Sequence, residues 1–315
     1  MENRTENSLL EVKGLSISFT QYDRWFHRTR LPVIKNLNIK VEKGKITAVI
    51  GSSGSGKSLL AHAVLGMLPY NASSEGTILF KGALLAEERK KKLRGREIVL
   101  VPQGVSYLDP LMKVGEQVRN GKNDRESREK ELSVLKRYGL GEDTEKLYPF
   151  ELSGGMARRI LISTAVMGKP SLVIADEPTP GLHLEAAKRV LGHFREIADE
   201  GAGILLITHD LELALEVADS IAVLYAGITI EEASAADFQS EEGLRHPYTR
   251  ALYRAMPENG FRSEPGNQPY VKDYITGCPY RPRCPFAEKA CEGEIPWLSV
   301  RGGHVRCVKD ISETV

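Results

Sequence analysis

The sequence predicts an α/β fold built around a parallel sheet, and three observations carry that expectation. The apolar run Ile46-Thr47-Ala48-Val49-Ile50 leads into a glycine-rich turn and then a helical stretch from Lys57 to Leu68. Strand, loop and helix in that order make up the unit from which parallel sheets are assembled. Two later runs, Leu172-Val173-Ile174-Ala175 and Gly203-Ile204-Leu205-Leu206-Ile207, are continuously apolar rather than alternating, as expected of central strands covered on both faces. A helical stretch from Leu184 to Glu200 separates those two runs.

The remaining segments follow from local pattern. From Leu9 to Val49 short β-branched runs are broken by turns: Leu10-Glu11-Val12, Leu15 to Phe19, and Ile34 to Val41 before Glu42-Lys43-Gly44. This opening is strand-rich. Residues 85–170 are more charged and helix-like, with dense Glu, Arg and Lys between Arg119 and Tyr138, and are expected to form a helical insertion. Within it, the run Glu87 to Lys92 has no interleaved aromatics and reads as a solvated helix face rather than a nucleic-acid patch. After Ala226 comes an acidic stretch, Glu231 to Glu242, and then a Pro-rich segment holding all four cysteines. The expected division is a core domain over 1–230, containing the helical subdomain at about 85–170, and a C-terminal extension over 231–315.

Bulk properties narrow the function classes. A length of 315 residues leaves room for two domains, at roughly 150 residues each. Lys and Arg number 43 against 42 Asp and Glu, a net charge of +1, which provides no global basic field for nucleic acid. Hydrophobic residues at 41% and charged residues at 27% are globular values and exclude wholesale disorder. No apolar run approaches the roughly 18 residues needed to span a bilayer. The polar start, Met1 to Asn7, lacks an apolar signal region, so a cytosolic chain with reduced thiols is expected.

Gly51-Ser52-Ser53-Gly54-Ser55-Gly56-Lys57-Ser58 fits G-x-x-x-x-G-K-[ST] directly between a strand and a helix, the context that gives the motif its meaning. Small residues let backbone N–H groups turn inward around phosphate oxygens, and the helix N-terminus adds partial positive charge. Lys57 would neutralise the phosphates, and the Ser58 hydroxyl would ligate Mg²⁺, which prefers oxygen donors. Asp176 and Glu177, at the end of the Leu172 run, supply two carboxylates pointing different ways. Asp176 suits the magnesium shell; Glu177 suits a water at the γ-phosphate as general base. The chain is therefore expected to bind ATP with Mg²⁺.

A third motif, Leu152-Ser153-Gly154-Gly155-Met156, stands between the phosphate loop and the paired acids, and the order resembles the ATP-binding cassette (ABC) family. In that family two cassettes pack head to tail, so the resemblance implies that Ser153, Gly154 and Gly155 cover a partner's nucleotide. It further implies that Gln103 joins the helical subdomain to the metal site, that His209 is the switch histidine, and that Phe19 stacks on adenine, with Tyr22 as the alternative. Tyr148-Pro149-Phe150 before the signature, Tyr225-Ala226-Gly227, and His246-Pro247-Tyr248-Thr249-Arg250-Ala251-Leu252 narrow the resemblance to the ATP-binding subunits of oligopeptide, dipeptide and nickel importers. The fold so implied is a P-loop NTPase cassette: a mixed sheet core, an antiparallel β edge, a helical subdomain and a small Cys-containing extension.

Two departures stand out. After Glu177-Pro178-Thr179 the family usually continues Thr-Ala-Leu-Asp, whereas this chain reads Pro180-Gly181-Leu182-His183 and loses a carboxylate of the interface loop. Ala157-Arg158-Arg159 replaces the usual Arg-Gln-Arg. A weakly catalytic partner subunit is therefore one alternative reading; an ABC protein acting on nucleic acid or ribosomes is another, disfavoured by the single cassette and the lack of strongly basic regions.

The cysteines fall as C-x5-C-x6-C-x15-C, Cys278, Cys284, Cys291 and Cys307, without the close pairs of ordinary zinc ribbons. Four thiolates could hold zinc or an iron–sulfur cluster, and the resemblance implies a [4Fe-4S] cluster; His304 is read as a structural or surface histidine. The implied partners are a second cassette, in a heterodimer or homodimer, two permease subunits and, indirectly, an extracytoplasmic binding protein. The segment Gly104 to Val118, with Val105, Tyr107, Leu108, Leu111 and Met112, is the expected permease seat. The implied location is peripheral, at the cytoplasmic face of the membrane.

Overall fold

The computed structural model describes residues 8–22, 27–262, 264–270 and 276–309. Along the chain run β1 (Ser8–Tyr22), β2 (Arg28–Glu42), β3 (Ile46–Gly51), α1 (Lys57–Leu65), β4 (Ala72–Phe80), β5 (Ala83–Leu84), α2 (Glu87–Leu93) and β6 (Ile98–Val101). Then follow α3 (Val114–Val118), α4 (Arg125–Arg137), α5 (Gly154–Val166), β7 (Leu172–Asp176), α6 (Leu184–Asp199), β8 (Gly203–Thr208), α7 (Leu211–Leu215) and β9 (Ser220–Tyr225). The C-terminal part supplies β10 (Ile228–Ser234), α8 (Pro247–Ala255), β11 (Trp297–Val300) and β12 (Gly303–Arg306).

Two sheets result. The larger has the order β11-β12-β10-β9-β3-β8-β7-β6, and its members from β9 to β6 are parallel. Every residue of β3, β7 and β8 is buried, which is what continuous apolar runs require when helices cover both faces. The smaller sheet, β2-β1-β4-β5, is antiparallel, and the broken runs of the opening merge into two long, bulged strands. One apolar cluster fills the space between the large sheet and α5 and α6; a second lies between the two sheets around α1.

The stretch expected to be a helical insertion also contains a core strand. Ile98 to Val101 pairs in parallel with Leu172 to Ala175, so β6 closes the large sheet and separates α2 from the helices α3 to α5 that follow. Four residues are too few for periodicity to betray a strand inside a charged stretch. β9 and β10 stand on either side of the change of composition at Ala226, and only β9 is parallel to the core.

Beyond 230 the chain stays bound to this architecture. β12 pairs antiparallel with β10, and β11 with β12, which lengthens the core sheet by two strands. Glu231 is wholly buried and accepts from the backbone N–H groups of Arg245 (2.8 Å) and His246 (2.7 Å). The Arg245 guanidinium reaches Asp237 (2.9 Å) and the carbonyls of Val300 and Arg301 (both 2.7 Å). His246 caps α8 by accepting from the Tyr248 N–H at 3.0 Å, and complete burial lowers its pKa to about 3, so it caps as a neutral ring. The His-Pro-Tyr motif is thus a helix start built on a buried carboxylate.

Candidate functional site: the phosphate loop and its paired carboxylates

Because β3, β8 and β7 are parallel neighbours, their C-terminal ends bring residues 51–58, 176–177 and 207–209 to one edge. Ligands of open α/β sheets bind at that edge. The loop after β3 turns through Gly54 (φ 80°) and Gly56 (φ 95°), left-handed conformations open to glycine. At Gly51 a Cβ would lie 2.7 Å from Ser55 Oγ and 2.8 Å from the Leu224 carbonyl, so no side chain fits there.

Lys57 is only 7% exposed and donates to the carbonyls of Gly51 (2.7 Å) and Ser52 (3.1 Å), which folds it back along the loop. Burial lowers its pKa, and the charges of Glu177 and Asp176 oppose that shift. Ser55 Oγ is buried with no hydrogen-bond partner. An orphaned hydroxyl inside a ring of inward N–H groups fits a phosphate oxygen.

The metal side of the site is equally specific. Ser58 Oγ donates to Asp176 Oδ1 at 3.1 Å, so the two side chains assigned to Mg²⁺ are already in contact. Burial raises the pKa of Asp176, partly offset by the Ser58 hydrogen bond. Ser58 and Asp176 would hold a divalent cation here, whose positive charge would offset that cost.

Glu177 has φ 47°, a left-handed conformation unusual for a residue with a side chain and worth about 1–3 kcal/mol of strain. Its N–H is fixed by the Ile207 carbonyl at 2.8 Å. The carboxylate stands between two groups: Oε1 lies 3.8 Å from Lys57 Nζ and Oε2 lies 2.8 Å from His209 Nδ1. A carboxylate so held can orient and deprotonate a water, with the half-exposed imidazole as its second anchor.

Gln103 stands exposed just past β6, and among the described residues no hydrogen bond ties its amide to Ser58 or Asp176. The nearest link is indirect. Buried Arg158 of α5 donates to the Pro102 carbonyl at 3.1 Å, so the helix behind the signature holds the residue before Gln103. Arg158, one of the departures from the family's usual sequence, has a backbone carbonyl as its partner, which leaves no trace in sequence.

The signature residues lie apart from this site. Ser153 caps α5, its Oγ accepting from Met156 N–H at 3.3 Å, and Ser153 and Gly154 are exposed. Added Cβ atoms at Gly154 and Gly155 would meet nothing within 4 Å. His183 caps α6, its Nδ1 accepting from Ala186 N–H at 3.4 Å, and is exposed as well. Phe19 is half-buried against the second core, whereas Tyr22 is 67% exposed at the end of β1; Trp25 and Phe26 lie outside the described residues.

All four cysteines line a single cavity together with His246, Pro247, Phe286 and Ile295. Burial raises the thiol pKa of Cys278 to about 11 and lifts those of Cys284 and Cys307 as well. Gly277 (φ 75°) lets the chain pass 2.1 Å, by its would-be Cβ, from the Cys291 carbonyl. Among the described residues, no three His, Cys, Asp or Glu side chains converge as a single metal ion requires. His304 is not in the cavity; it stacks on Trp297 at 5.6 Å.

A phosphate loop with its lysine buried, a hydroxyl and carboxylate set for Mg²⁺, and a second carboxylate held by histidine define a P-loop ATPase. The ABC transporter family profile matches residues 34–180, and the profile of the oligopeptide/dipeptide transporter C-terminal region matches 230–291. Escherichia coli oligopeptide transport ATP-binding protein OppD is 32% identical over 98% of this chain and 95% of its own length. The dipeptide transport ATP-binding protein DppD of the same organism is 34% identical over 93% of both. Among solved structures, an ATP-binding subunit of an ABC transporter (28% identity, TM-score 0.59) covers 73% of this chain and is itself covered to 92%. The dimeric cassette MJ0796 in a post-hydrolysis state (24% identity, TM-score 0.62) spans 72% of this chain and 99% of its own length, and shares the fold. The chain belongs to the ABC transporter family, as an ATP-hydrolysing subunit of the oligopeptide/dipeptide branch.

Proposed function

We propose that this chain powers peptide import by closing, with a second cassette, over two Mg–ATP molecules. The observation that carries the reading is the division of one complete ATP site between two faces. Lys57, Ser58, Asp176, Glu177 and His209 converge, while Ser153, Gly154 and His183 are exposed and the space beside Gly154 and Gly155 is open. In this reading Lys57 and the loop N–H groups hold the phosphates, Ser58 and Asp176 hold Mg²⁺ with Gln103 joining them on closure, and Phe19 stacks on adenine. Glu177 activates the water, and His209 orients Glu177 and senses the γ-phosphate. The signature residues serve the partner's nucleotide.

The seat for the permeases is the segment after Gln103. Val105, Tyr107, Leu111 and Met112 are exposed there, while Leu108 is buried beneath them. Gln117 staples this loop, accepting from Asp109 N–H and donating to the carbonyls of Asp109 (2.9 Å) and Met112 (2.7 Å). No described helix is long and apolar enough to cross a membrane, so attachment runs through such a surface. Peptide as the cargo follows from the names of the relatives, with specificity resting in permeases and binding protein. A strain lacking the chain should lose uptake of labelled di- and oligopeptides and regain it with the wild type but not with Lys57→Ala. Uptake unaffected by the deletion would remove peptide as the cargo.

For the cysteine cavity we propose a [4Fe-4S] cluster. All four cysteines, Cys291 buried and the other three half-buried, line this one apolar cavity, and four thiolates are the ligand set such a cluster uses. Bound there, it would cross-link four points of the tail. Anaerobically purified protein should carry about four irons per chain; stoichiometric zinc instead would reverse the assignment.

A further inference from the structure

The C-terminal extension reaches back to the nucleotide site at one point. Ser52 Oγ, in the phosphate loop, donates to Gln268 Oε1 at 2.5 Å, a contact spanning the two family segments. Gln268 is half-buried, so the bond is shielded from full competition by water.

What delivers Gln268 there is a clamp three residues upstream. Arg283 donates to the carbonyls of Pro265 (3.0 Å) and Glu264 (3.3 Å) and to the Tyr225 hydroxyl (3.4 Å), while its guanidinium lies over the Tyr280 ring at 5.6 Å. The Tyr280 hydroxyl donates to the Glu264 carboxylate, and Arg254 approaches the same carboxylate at 3.5 Å. Gly266 adopts φ 89° and packs 3.5 Å, by its would-be Cβ, from the Arg283 stem. Backbone carbonyls, a side-chain carboxylate and a glycine turn together fix residues 264–266 against Tyr280, which is itself fully buried in the core.

We propose that Gln268 is a positioning residue for the phosphate loop, held in place by the Arg283–Tyr280 clamp. Ser52 is the second residue of the loop, and Lys57 also bonds its carbonyl, so Gln268 and Lys57 grip the same residue from two sides. Ser52 otherwise sits in a loop of small residues with little packing to hold its backbone N–H groups in the phosphate-binding arrangement. An external acceptor reduces the freedom that nucleotide binding must remove, and so strengthens binding without touching the chemistry. Tyr280 and Arg283 both lie between Cys278 and Cys284 in sequence, so the extension's cysteine loop and the ATP site share one mechanical connection.

The test is ATP affinity and turnover of the full chain assembled with its partner cassette, the partner's site being silenced. One net hydrogen bond corresponds to roughly a 3- to 10-fold change in binding. Gln268→Ala should raise the KM for ATP by about that factor with kcat retained and the melting temperature unchanged. Ser52→Ala should weaken ATP to a similar degree, and the double variant should be no worse than the poorer single one. Arg283→Ala should copy Gln268→Ala in KM. Unchanged KM in Gln268→Ala, or additive effects of Gln268→Ala and Ser52→Ala, would overturn the positioning role; an unchanged KM in Arg283→Ala would overturn the clamp.

Discussion

The phosphate loop and the signature loop are the same physical device in two states of completion. Each sets small residues at a helix N-terminus, where unpaired N–H groups and the helix dipole attract an anion. Around the phosphate loop the chain supplies everything else: a buried lysine, a hydroxyl–carboxylate pair and a strained glutamate held by histidine. At the signature loop, by contrast, Ser153 Oγ caps its own helix, and added Cβ atoms at Gly154 and Gly155 would meet nothing within 4 Å. On the proposed reading a second cassette finishes the bare site, and catalytic completeness then belongs to the closed pair rather than to either cassette.

Three substitutions sharpen this contrast. The largest effect should come from Glu177→Gln, which keeps size and hydrogen bonding while removing the base and its charge. Turnover at this chain's own site should fall by about 10²- to 10⁴-fold with ATP still bound, as read by phosphate release against nucleotide-binding assays. The two serines should separate next. Ser55→Ala removes a buried hydroxyl that has no partner, so without nucleotide the chain should be as stable as before or slightly more so, yet bind ATP several-fold less tightly. Ser153→Ala should do the reverse, costing about 1 kcal/mol through loss of the α5 cap while leaving this chain's own ATP affinity intact. Thermal unfolding with and without MgATP would reveal both patterns.

The smallest effect should come from His183→Asp. The histidine retains the capping role of the residue it replaces, through a long 3.4 Å bond, but not the fixed negative charge. The complex is therefore expected to be asymmetric, with His183 weakening the partner's phosphate-loop site. Restoring aspartate should raise partner-site hydrolysis a few-fold in complexes where Glu177→Gln silences the local site. Identical partner-site rates would make the loop a neutral variation.

Most of the nucleotide site was legible because its residues are contiguous and chemically constrained. Gly51 to Ser58 must be small, basic or hydroxylated for reasons of backbone approach and charge, and Asp176-Glu177 ends an unmistakably buried strand. The helix α6 was legible as the helical stretch between two apolar runs, Leu184 to Glu200 in sequence against Leu184–Asp199 in the structure. What escaped depended on backbone partners or distant chain. β6 is four residues long; Arg158 grips the Pro102 carbonyl; Gln268 meets Ser52 from 216 residues away. The extension's place in the core sheet was equally hidden, since β12 earns its position through ladder bonds to β10 and the buried Glu231–Arg245 network rather than through any apolar run.

The division of labour between the two loops can be tested by one variant read at two sites. Gly155→Asp places a carboxylate in the signature loop where the structure has open space, so the chain should fold normally while repelling the partner's phosphates. In the assembled complex, phosphate release should be measured once with the partner's catalytic glutamate replaced and once with Glu177→Gln in this chain. The account predicts that hydrolysis at this chain's own phosphate loop persists while hydrolysis at the partner's site is lost. Loss at this chain's own site with the partner's site preserved would contradict it.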